Sequence, residues 1–170
     1  MDRESVFGGG DSEKNQFSPE KTVVILLVED DPADVQLVQE GLSDTSVPVD
    51  LNVVNDGVEA LAYLRGEGQY IGALIPDLIL LDLKMPKKSG LEVLAELKSD
   101  DQLRRVPVIV LTTSDSPEDI LKAYQLQASC VVTKPADLDD FHRTMTSIKD
   151  FCLTVVKLPP RLEEMARTEE

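Results

Sequence analysis

The chain has 170 residues, of which 42% are apolar and only 4% aromatic, and its 32 Asp and Glu outnumber 17 Lys and Arg for a formal net charge of -15. That length suits one globular domain with an aliphatic core. The charge leaves no excess of cations to neutralise phosphates or anionic headgroups, which argues against nucleic-acid binding and against a membrane surface.

Residues 1–20 are mostly polar and carry Gly8 to Gly10. No strand precedes these glycines and no Gly-Lys-Ser/Thr follows, so they do not form a phosphate loop. A flexible tail over 1–20 is expected. Polar and acidic residues follow Met1 and no apolar run is long enough for a bilayer, which predicts a soluble, cytoplasmic protein. "TVVILLV" (Thr22 to Val28) predicts a buried strand, and "PADVQLVQEGL" (Pro32 to Leu42) a helix with Val35, Val38 and Leu42 at helical spacing. "VDLNVV" (Val49 to Val54) and "DGVEALAYL" (Asp56 to Leu64) repeat the pair. "LILL" (Leu78 to Leu81) is a continuous apolar run that fits a strand buried on both faces. The helix "SGLEVLAELKS" (Ser89 to Ser99) follows it. "VPVIVLTT" (Val106 to Thr113) predicts the fourth strand. The next helix spans Ser116 to Leu126, with Ser116 as cap and Pro117 at its first position. "CVVT" (Cys130 to Thr133) is the fifth strand, and a last helix begins near Asp137. Strict alternation predicts an α/β domain over 21–158: a doubly wound, five-stranded parallel sheet with helices on both faces. Residues 159–170 open on a proline pair and are expected to form a frayed tail.

Sites in such sheets form at the carboxyl ends of the strands, near a topological switch point. The first strand ends in "EDD" (Glu29 to Asp31) and the third at Asp82. The fourth ends at Thr112 and Thr113, and the fifth runs into Lys134 and Pro135. On one edge, Glu29, Asp30 and Asp82 would repel each other unless a cation sat among them, and hard oxygen ligands suit Mg²⁺. Lys134 adds a fixed positive charge and Thr112 a hydroxyl donor. Asp82 can then attack phosphorus and form an acyl phosphate, with no base required because a carboxylate is already ionised. Each signal alone is bland: an Asp after a strand is usually a turn residue, "EDDP" usually a helix start. Their joint fall on several strand tips favours the functional reading.

These motifs, "ILLVEDDP", "NDGVEALAYL", "DLILLDLKMPKKSG", "VPVIVLTTS" and "VVTKP" in that order, make the chain resemble a response-regulator receiver domain over about Val23 to Phe151. The ending "FCLTVVKLPP" resembles single-domain receivers that partner cyanobacterial phytochromes. The resemblance implies a flavodoxin-like fold and a stand-alone two-component regulator. It implies Asp82 as phosphoacceptor, Thr112 and Lys134 on the phosphoryl group, and Mg²⁺ on Asp30, Glu29 (partly through water), Asp82 and the Lys84 carbonyl. It implies a cis Lys134–Pro135 bond, a glycine at Gly90, a sensor histidine kinase of phytochrome type as partner, and output through protein–protein contacts rather than enzymatic turnover. One position departs from the family: Val131 stands where many receivers carry an aromatic switch residue. The rival readings are a phosphorylation-independent binding module and an aspartyl phosphatase, whose second Asp is here Lys84.

Outside the strand tips, His142 reads as a surface residue, and Tyr63, Tyr70 and Tyr124 as packing or surface residues. Cys130 and Cys152 have no metal-ligand spacing and read as small core residues. Leu138, Phe141, Met145, Ile148 and Cys152 form one helical stripe. Phe151 to Leu158 is more apolar than a last helix needs, which predicts a symmetric homodimer on this segment.

Overall fold

The computed structural model describes residues 21–161 and residue 165. The expected tail over 1–20 lies outside the described residues, as does most of 159–170. Five strands run β1 (Val23–Val28), β2 (Val49–Val54), β3 (Leu78–Leu81), β4 (Val108–Thr112) and β5 (Cys130–Thr133). Between and after them lie α1 (Pro32–Gly41), α2 (Gly57–Arg65), α3 (Gly90–Ser99), α4 (Pro117–Gln125) and α5 (Leu138–Asp150). All pairings are parallel and the sheet order is β2-β1-β3-β4-β5. The doubly wound fold read from the sequence is therefore the fold observed, with element ends moving by one or two residues. β4 begins at Val108 rather than Val106 because Pro107 has no N–H to give a ladder; its carbonyl accepts from Ile79 instead.

The alternation of side chains along each strand builds two cores. On one face Ile25, Leu27, Leu80, Ile109 and Leu111 pack with Val38 of α1 and Phe141, Met145 and Ile148 of α5. On the other, Leu26, Val28, Ile79, Leu81, Val108 and Val110 pack with Leu61 of α2, Leu94 and Leu97 of α3 and Ala123 of α4. Helix starts are fixed locally. Asp31 accepts from Ala33 N, Asp56 from Glu59 N and Ser116 from Asp119 N, while Ser89 and Glu92 form a reciprocal capping box. α1 and α5 touch closely because Gly41 has no side chain: a Cβ there would lie 2.4 Å from Cβ of Met145.

Four residues of the C-terminal stripe, Phe141, Met145, Ile148 and Cys152, are buried, whereas Leu138 is 66% exposed. Leu138 opens the helix before it reaches the sheet and has nothing to cover. After α5, Phe151–Val155 forms a single π-helical turn that carries Phe151 and Val155 outward and Cys152 inward. The chain then returns to the amino-terminal edge of the sheet. There the Arg161 guanidinium donates to both oxygens of Asp77, at 3.1 and 2.6 Å, and to the Thr22 carbonyl at 2.7 Å. Asp77 also accepts from Val24 N at 2.9 Å, so the strap Pro159–Arg161 is tied to β1 and to the start of β3. Tyr63 and Tyr70 stack edge to face and His142 is exposed, as expected; among the described residues both cysteines are unpaired, Cys152 buried and Cys130 partly so.

Candidate functional site

The switch point of this sheet lies at β1, which has β2 on one side and β3 on the other. The register pairs Val28 with Leu81, so the next residues, Glu29 and Asp82, emerge side by side at the carboxyl edge. Backbone bonds continue the ladder into the site: Asp82 N donates to Val28 O at 3.1 Å and Glu29 N to Val54 O at 3.0 Å. Glu29, Asp30 and Asp82 each place a carboxylate oxygen within 4.8 Å of the others. Glu29 is 2% exposed and Asp82 7%, while Asp30 faces solvent. Three crowded carboxylates of which two are buried form a hard-oxygen donor set, and that set fits Mg²⁺. Lys84 follows Asp82 closely and its N–H donates to Asp82 Oδ1 at 3.3 Å.

The loop after β3 depends on Gly90. A Cβ at that position would stand 2.1 Å from the Asp82 carbonyl oxygen, so any side chain would push the loop off the strand tip that carries the carboxylate. Gly90 N also donates to Leu83 O at 2.9 Å, which closes the turn.

Lys134 comes from the tip of β5 and is 7% exposed. Its Nζ donates to Glu29 Oε2 at 2.5 Å, Asp34 Oδ2 at 2.9 Å and Asp82 Oδ2 at 3.2 Å. Burial opposes the ammonium, but its hydrogen bonds to Glu29 and Asp34 and the charge of Asp82 hold its pKa above the ordinary lysine value. Burial pushes Glu29 the other way for a carboxyl, up to about 7, with Asp82 adding to the rise and Lys134 restraining it. Thr112 is fully buried; its hydroxyl accepts from Ser114 N at 3.2 Å and its carbonyl accepts from Lys134 N at 2.7 Å. Thr113, by contrast, is exposed.

The structure thus brings Glu29, Asp30, Asp82, Thr112 and Lys134 to one edge. Two results differ from the sequence reading. The Lys134–Pro135 bond is trans, as are all the described peptide bonds, and not cis as the resemblance implied. A proline bond favours trans by about 0.5–1 kcal/mol, and Lys134 reaches all three carboxylates in that form. The second is Asp34, which sequence reasoning passed over. It sits in the first turn of α1, four residues after Asp30, which precedes the helix cap Asp31.

At Val131, β5 carries no aromatic ring. Its N–H instead donates to the hydroxyl of Tyr124, at 3.2 Å, so α4 supplies a phenol beside the position.

A buried lysine over an acidic cluster at the switch point of a β2-β1-β3-β4-β5 parallel sheet defines a class of α/β protein suited to handling a phosphoryl group beside a divalent cation. The comparisons narrow the class. The response regulator receiver domain pattern matches residues 25–146, and the chain belongs to that family. It is 46% identical over 136 residues to response regulator Rcp1 of Synechocystis sp., covering 80% of this chain and 92% of that protein. Among solved structures, the phosphorylated cyanobacterial phytochrome response regulator RcpA is 48% identical with a TM-score of 0.81, covering 82% of this chain and all of that one. The Mn²⁺-bound form of Rcp1 superposes with a TM-score of 0.79 at 45% identity, over 81% of this chain and 99% of that one. Among the described residues, no helix is long and apolar enough to cross a membrane.

Proposed function

We propose that this receiver accepts a phosphoryl group on Asp82 from a phosphohistidine of a sensor kinase. An oxygen of Asp82 attacks phosphorus, the P–N bond breaks, and its electron pair stays on the leaving imidazole; the product is an acyl phosphate. Mg²⁺ held by Glu29, Asp30, Asp82 and the Lys84 carbonyl supplies charge that offsets the phosphoryl oxygens. Lys134 donates to one of those oxygens and the Thr112 hydroxyl to another. The observation that carries this reading is the Lys134 ammonium set directly against Asp82 within the acidic cluster. The chain then acts as a phosphoacceptor that catalyses its own transfer and slow hydrolysis rather than as a turnover enzyme. The likeness to a phytochrome response regulator supports a phytochrome-type kinase as partner. Incubation with acetyl phosphate and Mg²⁺ tests the reading: intact mass should show one added phosphoryl group on the wild type and none on Asp82→Asn. Equal labelling of both proteins refutes it.

For output, the exposed residues Phe151, Val155 and Val156 support a symmetric homodimer through the segment after α5. With Val131 in place of an aromatic, phosphorylation would act on dimer affinity through Thr112 and Lys134. Sedimentation of the wild type and Phe151→Glu, with and without phosphorylation, should show a dimer only where Phe151 is present. A wild type that stays monomeric at micromolar concentration in both states overturns the dimer.

A further inference from the structure

A lysine ammonium has three N–H donors and no acceptor. Around Lys134 all three are taken, by Glu29, Asp34 and Asp82. Two of these carboxylates also belong to the acidic cluster with Asp30, and Asp82 is the group that would react. Asp34 stands outside that cluster. Its side chain is 22% exposed, against 2% for Glu29 and 9% for Asp82, and it is carried by the first turn of α1 rather than by a strand tip.

The three bonds fare differently once the site is loaded. Glu29 shares its charge with any cation the cluster holds, which weakens its pull on Lys134. Asp82 loses its charge when its carboxylate becomes an acyl phosphate, and the Nζ–Asp82 contact is already the longest of the three. The donor that Asp82 gives up is the one free to turn to a phosphoryl oxygen. Only the Asp34 contact is untouched by either event. A lysine carries its charge on a flexible four-carbon stem, so where the ammonium sits is set by what tethers it.

Resting on the phosphoacceptor reading above, we propose that Asp34 is a positioning residue that tethers the Lys134 ammonium while its third donor passes from Asp82 to the phosphoryl group. A competing role has the opposite sign. If Asp34 were only a negative charge at the mouth, it would repel the phosphoryl group, and removing it would strengthen phosphoryl binding.

The test compares wild type, Asp34→Ala and Asp34→Asn in three measurements. The first is affinity for beryllofluoride, a phosphoryl mimic, in saturating Mg²⁺. The second is the rate of labelling at one fixed acetyl phosphate concentration. The third is Mg²⁺ affinity without either anion. Loss of one charge-assisted hydrogen bond should weaken beryllofluoride binding and slow labelling about tenfold in Asp34→Ala. Mg²⁺ affinity should stay within about twofold, because Asp34 is outside the cluster. Asp34→Asn keeps a carbonyl acceptor at the same reach and should recover about half of the loss on a logarithmic scale. A merely structural role would not follow that order in anion affinity while sparing the metal. Unchanged or tighter beryllofluoride binding in both variants overturns the proposal, and so does a fall in Mg²⁺ affinity as large as the fall in rate. If Asp34→Ala fails to give a cooperative melt, Asp34→Asn decides, with about a threefold loss expected and none overturning it. A wild type that takes up no phosphoryl group overturns the functional reading and this inference together.

Discussion

Replacing Lys134 with Met removes the ammonium that faces Glu29, Asp34 and Asp82 and keeps a side chain of similar length. Asp34 is partly exposed and can turn to water, but Glu29 and Asp82 are buried and cannot. Breaking a buried ion pair by deleting one partner costs about 3–5 kcal/mol, because the remaining charge is left unpaired. Glu29 has an escape, since it can take a proton. Its folded pKa, about 7, already lies above the usual carboxyl value of 4.5. Between those values the folded state binds more protons than the unfolded one, so wild-type stability without metal falls as pH rises from 4.5 to 7, by at most about 3 kcal/mol from this group. In Lys134→Met the restraint from the ammonium is gone, the Glu29 pKa climbs further, and the fall continues above pH 7. The gap between the two proteins should therefore be about 1 kcal/mol at pH 5.5 and about 3 kcal/mol at pH 8. Urea unfolding at both pH values, with chelator present, measures it. At pH 8 the melting temperature should drop by about 6–12 °C for a domain of this size. A gap that is equal at the two pH values, or below about 1 kcal/mol at pH 8, would refute the claim that Lys134 neutralises a buried Glu29.

Two further changes probe the frame around the site. Gly90→Ala should cost about 2–3 kcal/mol, because its Cβ would collide with the Asp82 carbonyl; it should also slow labelling of Asp82, and a melt unchanged from wild type would show that the loop gives way freely. Arg161→Ala removes two bonds to Asp77 and one to Thr22 but leaves Asp77 bonded to Val24, so a loss of about 1–2 kcal/mol is expected in urea unfolding, with phosphoryl uptake unaltered; a loss of uptake would mean that the amino-terminal edge of the sheet communicates with the site.

The strands were legible because a parallel sheet buries both faces and leaves continuous apolar runs such as Leu78 to Leu81. Once the elements alternate, topology alone sends Glu29, Asp82 and Thr112 to one edge. Side-chain reach is another matter. Asp34 lies in a helix whose polar residues read alike from sequence, and only the reach of the Lys134 side chain from beyond β5 to the first turn of α1 reveals which of them it meets. Arg161 is similar: a proline pair suggests a frayed end, and nothing local says that Asp77, 84 residues earlier, awaits a guanidinium. The exposed Leu138 shows the limit of periodicity, which assigns a face to a residue without knowing where the sheet ends.

Among the described residues, the resting site carries the carboxylates of Glu29, Asp30, Asp34 and Asp82 against the ammonium of Lys134, an excess of three negative charges if all are ionised. A flexible loop would relieve that repulsion by moving its acids apart. Here it cannot, because Glu29 and Asp82 extend adjacent strands whose register is fixed by two apolar cores, and Gly90 presses the next loop against the Asp82 backbone. The sheet therefore holds the acids together, and the Glu29 pKa, raised first by burial and then by the neighbouring charge of Asp82, shows part of that cost. Any species that brings positive charge to the cluster relieves it, which makes cation binding favourable before a phosphoryl group arrives. Burial then strengthens each hydrogen bond that Lys134 and Thr112 can give to phosphoryl oxygens. Removing Asp30, the one of these four carboxylates that accepts no bond from Lys134 among the described residues, should leave the metal-free melting temperature level or raise it even where it harms the chemistry, as expected of a site whose geometry is held by the core rather than by its own contacts.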